Sequence, residues 1–129
     1  VAEVRRGLFP LGGSTVRLRR QIPFTIAAEL LLTGRQMPAA EAKEVGLIGH
    51  VVPDGEALTK ARELADQIAA NGPLAVQAVL RSFRESANLG EAEALANELE
   101  LGSPVFATND AKEGPRAFAK KRSPTFTGT

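Results

Sequence analysis

The segment VAEVRRGLFPLGGSTVRL (Val1–Leu18) decides how the rest of the chain is interpreted. Its first half mixes apolar and charged residues, and the pair Gly12-Gly13 allows a tight turn. Ser14 and the threonine after it are residue types that cap helix N-termini, and arginines follow where they suit the C-terminal end of a helix. The segment predicts the end of a strand over Val1–Phe9, then a turn and a short helix.

Beyond this segment the apolar pattern is helical almost to the end of the chain. Only Leu47–Val52 (LIGHVV) is typical of a strand. One or two strands cannot form a sheet that buries a core, so we expect exposed apolar helix faces that need partners. Helices are predicted over residues 23–34, 38–45, 56–70, 73–87 and 91–101.

The last helix is predicted from the spacing of Asp110 and Glu113, which fits a capping box. Because Pro115 would interrupt a helix that begins at Asp110, Glu113 is the alternative start. The tail Ser123–Thr129 is predicted to be irregular.

The composition excludes several classes of protein and site. The 129 residues are enough for one domain, and Lys+Arg 16 against Asp+Glu 15 argues against a nucleic-acid-binding protein. Apolar residues never form the run of about 20 that a membrane span needs, and no signal-peptide pattern opens the chain. Without cysteine, and with His50 as the only histidine, we expect no metal site. A cytoplasmic protein is the default expectation.

Four separated blocks of the sequence together resemble the crotonase (enoyl-CoA hydratase/isomerase) family, in the family's order and spacing. They cover nearly the whole chain. The blocks are AEVRRGLFPLGGSTVRL (2–18), AELLLTG (28–34), AAEAKEVGLIGHVVP (39–53) and DAKEGPRAFAKKR (110–122).

The resemblance implies an α/β crotonase-like superfold, of which this chain is the mainly helical C-terminal half with one or two short strands. Residues 1–22 would close the spiral core and form an active-site loop, and residues 23–129 would form a helical oligomerisation region. Homotrimers or hexamers are expected, with self-association through the Pro23–Leu32 and Glu56–Leu101 helices. In the family the N-terminal half supplies most of the coenzyme A pocket and the oxyanion-hole amides, so the isolated chain is predicted to be inactive.

The resemblance gives Glu3 the role of proton donor and acceptor at the α-carbon of an enoyl-CoA thioester. Ala2 stands where the family usually has proline, and Leu11 where many members have glycine beside the catalytic water. Leu11 would crowd that water, which leaves an isomerase that uses Glu3 alone as an alternative to a hydratase. The residue types alone also allow Glu3 to be a solvated carboxylate paired with Arg5 or Arg6.

Four further positions are implied as substrate-binding by the same resemblance. Leu11 and Gly12 would line the substrate site close to the catalytic water, although the two glycines at 12 and 13 also explain the turn. Phe118 and Lys121 would contact the adenine and phosphate end of coenzyme A. Alternatively, Phe118 is a packing residue and Lys121 part of a solvated basic turn.

The function implied is therefore an enoyl-CoA hydratase in fatty acid metabolism, with the acyl-CoA thioester and the N-terminal half of the same protein as partners. No cofactor is expected beyond the coenzyme A of the substrate, and neither nucleic acid nor a membrane is expected as a partner. The remaining alternative is a non-catalytic fragment or oligomerisation module that lacks the oxyanion hole.

Overall fold

The computed structural model describes all 129 residues, Val1–Thr129. The chain divides into two compact units, Val1–Ala57 and Leu58–Thr129. Helices form nearly all of the regular structure in both, which confirms the prediction of a mainly helical chain. The boundary predicted at residue 22, between an active-site loop and a helical oligomerisation region, is not tested by this division and stays a prediction.

The first unit consists of a 3-10 turn and three short α-helices. The turn spans Glu3–Arg6, and α1 (Ser14–Gln21), α2 (Phe24–Thr33) and α3 (Ala39–Glu44) follow. α1 packs on α2, and the turn packs on α2 as well. The small core is formed by three buried side chains and the apolar residues around them: Ile22, Ala27 and Leu30, with Leu18, Ile26, Met37, Val45 and Leu47.

The second unit contains four α-helices and one further 3-10 helix. It begins with α4 (Ala57–Ala69), and α5 (Pro73–Glu85) then packs against α6 (Glu91–Gly102). The 3-10 helix Ser103–Ala107 leads into α7 (Asn109–Ala119). Pro73 lies in the first turn of α5, where its missing N–H costs no hydrogen bond.

Both predicted strands are wrong, because the structure contains no strand. The segment Val1–Phe9 instead contains the 3-10 turn. Gly7 ends this turn: its N–H donates to the Val4 carbonyl (3.1 Å), and its backbone has a left-handed φ of 70°. In Leu47–Val52, Leu47 N–H donates to the Ala42 carbonyl at the end of α3 (2.8 Å). β-Branched residues favour extended backbone, but a strand also needs a hydrogen-bonded neighbour, which this chain does not supply.

The last helix begins within one residue of the start predicted near Asp110, and the alternative start at Glu113 is wrong. α7 begins at Asn109, and Pro115 lies inside it. Thr108 caps the helix, because its Oγ1 accepts from the Ala111 N–H (3.1 Å). A proline at this depth removes one helical hydrogen bond. At the start of the helix, the Thr129 main-chain oxygen accepts from the Asn109 N–H (2.7 Å), which has no partner within the helix.

Large apolar side chains remain exposed on several helices, as the sequence predicted. On α2, Phe24 is 70% and Leu32 77% exposed, and on α5 Phe83 is 72% exposed. The other exposed apolar side chains of α4–α6 are Leu58, Ile68, Val79, Leu80, Leu95 and Leu99. No helix of this chain combines the length and hydrophobicity that crossing a bilayer requires.

Candidate active site

Glu3 opens the 3-10 turn of the first unit, and one of its carboxylate oxygens is unusual. Oε2 is buried, and no protein group hydrogen-bonds to it. The main chain of the same residue is fixed, since the Leu8 N–H donates to the Glu3 carbonyl (3.0 Å). A buried oxygen without a protein donor is left available to exchange a proton with a bound molecule.

The alternative in which Glu3 pairs with Arg5 or Arg6 is not what the structure contains. Neither arginine forms an ion pair with Glu3, and both are exposed. Arg5 is two residues from Glu3, and in a helix with three residues per turn its side chain leaves on a different side. The Arg5 side chain lies instead beside Gly34, at the end of α2.

The predicted substrate-binding residues Leu11 and Gly12 lie in the loop that follows this turn. The Leu11 side chain is 80% exposed, and its N–H donates to the Phe9 carbonyl (2.9 Å). Gly12 and Gly13 have φ values of 83° and 94°, so both need the left-handed backbone that glycine adopts without strain. Gly13 caps α1, a position at which the sequence suggested Ser14.

The two residues predicted to contact coenzyme A lie at the C-terminal end of α7, in the second unit. The Phe118 ring is 88% exposed, so it is not buried against any other part of this chain. Lys121 is the only residue other than glycine with a positive φ, 51°. Its N–H donates to the Phe118 carbonyl (3.0 Å), which closes the helix end. Left-handed backbone is costly for a residue with a side chain, and here it lies directly after the C-cap of α7, where helices commonly end in this conformation.

Asp110 and Glu113 belong to the fourth sequence block, but their partners are in the C-terminal tail. Asp110 is 6% exposed and accepts hydrogen bonds from the Thr127 N–H (2.7 Å) and the Gly128 N–H (2.8 Å). Glu113 accepts from both terminal nitrogens of Arg122 (2.5 and 2.9 Å) and from the Thr125 N–H (3.0 Å). The tail is irregular as predicted, yet it is held against α7.

Hydrogen bonding changes the acidity of Glu113. The Arg122 guanidinium and then the Thr125 N–H stabilise the charged carboxylate, which lowers its pKa from 4.5 to about 2. The sequence predicted a capping box from the spacing of Asp110 and Glu113, and nothing in it indicated that these residues bind the tail.

A second group of motif residues also has a structural role. Arg35 donates to Glu29 of α2 (2.6 Å) and, through both terminal nitrogens, to Glu41 of α3 (2.9 and 2.5 Å). The Arg35 guanidinium lowers the pKa of Glu41 below its ordinary value. This cluster joins the end of α2 to α3 and fixes the backbone between them, including Gly34.

Comparisons with known proteins identify the family of this chain. The family model for enoyl-CoA hydratase/isomerase matches residues 1–129. The chain belongs to the enoyl-CoA hydratase/isomerase family. It is similar to an enoyl-CoA hydratase of Mycobacterium tuberculosis, with 64% identity over 126 residues that cover 98% of this chain and 47% of that protein.

Two further members of the enoyl-CoA hydratase/isomerase family extend the comparison. A carnitinyl-CoA dehydratase of Proteus mirabilis is 41% identical over 130 residues, which cover 98% of this chain and 50% of that protein. The crystal structure of an enoyl-CoA hydratase from Mycobacterium tuberculosis H37Rv superimposes with a TM-score of 0.94 at 46% identity, covering 100% of this chain and 51% of that one.

These matches confirm the resemblance inferred from the four blocks and the crotonase fold. The chain spans about half the length of the curated relatives it matches. The individual roles of Glu3, Leu11, Gly12, Phe118 and Lys121 are not tested by them and stay predictions.

Proposed function

We propose that this chain forms part of an enoyl-CoA hydratase in which Glu3 transfers the proton at the α-carbon of the thioester. The observation that carries the proposal is the buried Glu3 Oε2 without a protein donor. Most buried carboxylate oxygens in proteins have such a donor, and leaving one without costs about 1–3 kcal/mol. That cost is accounted for if the oxygen bonds to water or substrate during turnover.

The chemistry needs one carboxyl group at this position. Water adds to the β-carbon of the double bond, the electron pair moves to the thioester oxygen as an enolate, and the Glu3 carboxylic acid then delivers a proton to the α-carbon. The resulting Glu3 carboxylate is reprotonated in the next cycle by the proton released from water. We assign the oxyanion amides and the second glutamate to residues outside this chain, as the family resemblance implies.

The names of the relatives favour hydration over isomerisation. They include an enoyl-CoA hydratase, a carnitinyl-CoA dehydratase and a 2,3-dehydroadipyl-CoA hydratase of Escherichia coli, all of which add or remove water at a coenzyme A thioester. By analogy we propose an acyl-CoA thioester as substrate, with coenzyme A as part of it and no separate cofactor. Fatty acid metabolism and the cytoplasm are the setting we propose.

One observation keeps isomerisation as a second candidate. Leu11 stands where many members of the family have glycine, and its side chain is 80% exposed in the loop after Glu3. A leucine there would hinder the approach of water, while Glu3 alone could move a proton from the α-carbon to the γ-carbon. Product analysis with crotonyl-CoA and 3-hexenoyl-CoA separates the two: a hydratase forms 3-hydroxybutyryl-CoA, and an isomerase only shifts the double bond of the second substrate.

The substrate-binding proposal for the second unit depends on Phe118 and Lys121. An aromatic ring that is 88% exposed can stack on an adenine, and a lysine beside it can form a charge-assisted contact with a phosphate. The left-handed backbone of Lys121 supports this role, since glycine would occupy the position at lower cost.

The exposed apolar faces of α2 and of α4–α6 support self-association, for which we propose a homotrimer or hexamer. Leu32 (77% exposed) and Phe83 (72% exposed) are of a size and exposure more typical of interface residues than of free surface. Sedimentation equilibrium on the full-length gene product would give three or six copies, and a monomer would contradict the assignment.

The experiment that tests the proposed function compares hydration of crotonyl-CoA by the wild type, Glu3→Gln and Glu44→Gln. Glu44 is an exposed glutamate of the same unit without an ion pair and serves as the matched control. Glu3→Gln should lower kcat by about 10²–10⁴-fold, the contribution of a general acid or base. Glu44→Gln should stay within roughly twofold of wild type, the scatter expected of an exposed substitution. Full hydration activity of Glu3→Gln would contradict the proposed proton-transfer role of Glu3.

The assays use the full-length gene product, with this chain alone measured beside it. We predict that the chain alone does not turn over, because the oxyanion donors are assigned elsewhere. An intact-mass spectrum of the purified sample identifies any second polypeptide that could complete the site. Turnover by a single species of 13.6 kDa would contradict that assignment, and a full-length product without turnover would favour the non-catalytic oligomerisation module.

A further inference from the structure

Gly34, at the end of α2, lies against the turn that carries Glu3. A Cβ atom built on Gly34 would lie 2.7 Å from Arg5 Cγ, 2.9 Å from Arg5 Cδ and 3.3 Å from Val4 Cγ2. Ordinary contact begins at 3.4 Å, so the nearest atom would have to move by about 0.7 Å. The absence of a side chain at Gly34 therefore sets how closely the Glu3–Arg6 turn approaches α2.

The backbone of Gly34 is fixed and cannot move away from this contact. Its N–H donates to the Leu30 carbonyl (3.0 Å) as the left-handed cap of α2, with a φ of 65°. Directly after it, Arg35 is bound to Glu29 (2.6 Å) and to Glu41 (2.9 and 2.5 Å). The atoms that would give way belong to the exposed Arg5 side chain and to Val4, together with the turn that carries them, which has no buried residue and no side-chain cap of its own.

A shift of the turn would displace Glu3. Val4 and Arg5 are the next two residues, and the same turn is closed by the Leu8 N–H bond to the Glu3 carbonyl (3.0 Å). A carboxyl group that moves a proton must be placed within a few tenths of an ångström, and a misplacement of about 1 Å can cost a hundredfold in rate.

We propose that Gly34 is a positioning residue for Glu3: the bare α-carbon of Gly34 seats the side chains of Val4 and Arg5, and thereby places the Glu3 carboxylate for proton transfer. The inference rests on the proposed function of Glu3.

The test compares Gly34→Ala with Gly46→Ala in the full-length gene product. Both glycines end a helix in left-handed backbone, with φ of 65° and 78°, so both alanines meet the same strain. A Cβ at Gly46 has nothing within 4 Å, which makes it the matched control for the steric contact. Gly34→Ala should lower kcat for hydration by about 10–100-fold with KM within about twofold, and Gly46→Ala should change kcat by less than about threefold.

Hydrogen exchange of the Leu8 amide reports the position of the turn without reference to activity. It should exchange faster in Gly34→Ala than in wild type or Gly46→Ala. Unchanged exchange together with activity equal to that of Gly46→Ala would overturn the positioning role. Faster exchange with unchanged activity would instead overturn the catalytic role of Glu3, so the two failures are distinguishable.

The double variant Arg5→Ala/Gly34→Ala completes the design. It keeps the backbone strain at Gly34 but lacks the Cγ and Cδ atoms of the clash. Recovery of kcat to within about threefold of Gly46→Ala supports the proposal, also where Gly34→Ala alone does not fold. A double variant that remains at least about tenfold below Gly46→Ala would overturn it.

Discussion

Glu3 in the first unit and Asp110 in the second unit both lie within blocks of the family sequence, but Glu3 is half-buried with one buried oxygen and Asp110 is fully buried, and their surroundings differ. Glu3 Oε2 has no protein donor, whereas Asp110 accepts from the Thr127 and Gly128 amides (2.7 and 2.8 Å). Glu113 has donors on both oxygens as well. A carboxylate with all its donors in place holds structure, and one without them is available for chemistry.

The largest loss of folding stability is expected at Asp110, whose carboxylate accepts hydrogen bonds from protein donors. Asp110→Asn replaces charge-assisted bonds to two main-chain N–H groups, each worth about 1.5–3 kcal/mol, by weaker neutral ones. A loss of about 2 kcal/mol should speed exchange of the Gly128 amide roughly thirtyfold. Glu3→Gln should leave the thermal midpoint of unfolding unchanged, because no protein bond to Oε2 is lost.

The contrast between Glu3 and Asp110 would be contradicted if Glu3→Gln lost stability and Asp110→Asn lost activity. Calorimetry on both variants, with hydration of crotonyl-CoA measured in parallel, provides the check. If Glu3→Gln is destabilised but active, and Asp110→Asn is stable but inactive, the assignment of the catalytic carboxylate to the first unit is wrong.

A smaller effect of opposite sign is expected at Lys121. Lys121→Gly removes a left-handed lysine and should raise the free energy of unfolding by about 1 kcal/mol. The same change should weaken binding of free coenzyme A by roughly tenfold, since one charge-assisted phosphate contact is lost. Lys120→Gly is the control, because Lys120 has an ordinary φ of −88°. Titration calorimetry that finds coenzyme A binding unchanged in Lys121→Gly would rule out the phosphate contact.

The pH dependence of the tail contact should be the most modest effect. Because the pKa of Glu113 is lowered from 4.5 to about 2, its bonds stabilise the folded chain above pH 4.5, and this contribution is lost as the pH falls toward 2. The stability difference between wild type and Glu113→Gln should therefore shrink over that interval and disappear near pH 2. A difference that stays constant from pH 6 to pH 2 would show that the Arg122 and Thr125 contacts do not depend on the charge.

The sequence predicted the helices well because their ends are marked locally. Pro23 and Gly34 bracket α2 within one residue, and Pro73 starts α5. The resemblance located Glu3 without any structure. What the sequence could not predict depends on contacts between distant residues: the Leu47–Val52 segment has strand composition but no partner strand, and Pro115 is tolerated in α7 where the tail adds hydrogen bonds to the helix.

The same limitation applies to the site. The resemblance singled out Glu3 as the catalytic carboxylate, and the spacing of Asp110 and Glu113 predicted a capping box, but the sequence did not identify the hydrogen-bond partners of any of the three. The closeness of Gly34 to Arg5 joins residues far apart in sequence, and both positions have simpler local explanations as a helix stop and a surface charge. Function could therefore be inferred at the level of the family, while the hydrogen-bond partners of each carboxylate needed the three-dimensional structure.

The measurement that tests the central claim most directly is exchange of the α-proton of butyryl-CoA in D₂O, followed by mass spectrometry. It isolates proton transfer at the α-carbon, the step that a hydratase and an isomerase share, and needs no addition of water. We predict exchange by the wild-type full-length protein and by Glu44→Gln, and exchange at least about a hundredfold slower in Glu3→Gln. Exchange by Glu3→Gln at the wild-type rate would contradict the assignment of Glu3 as the proton-transferring group.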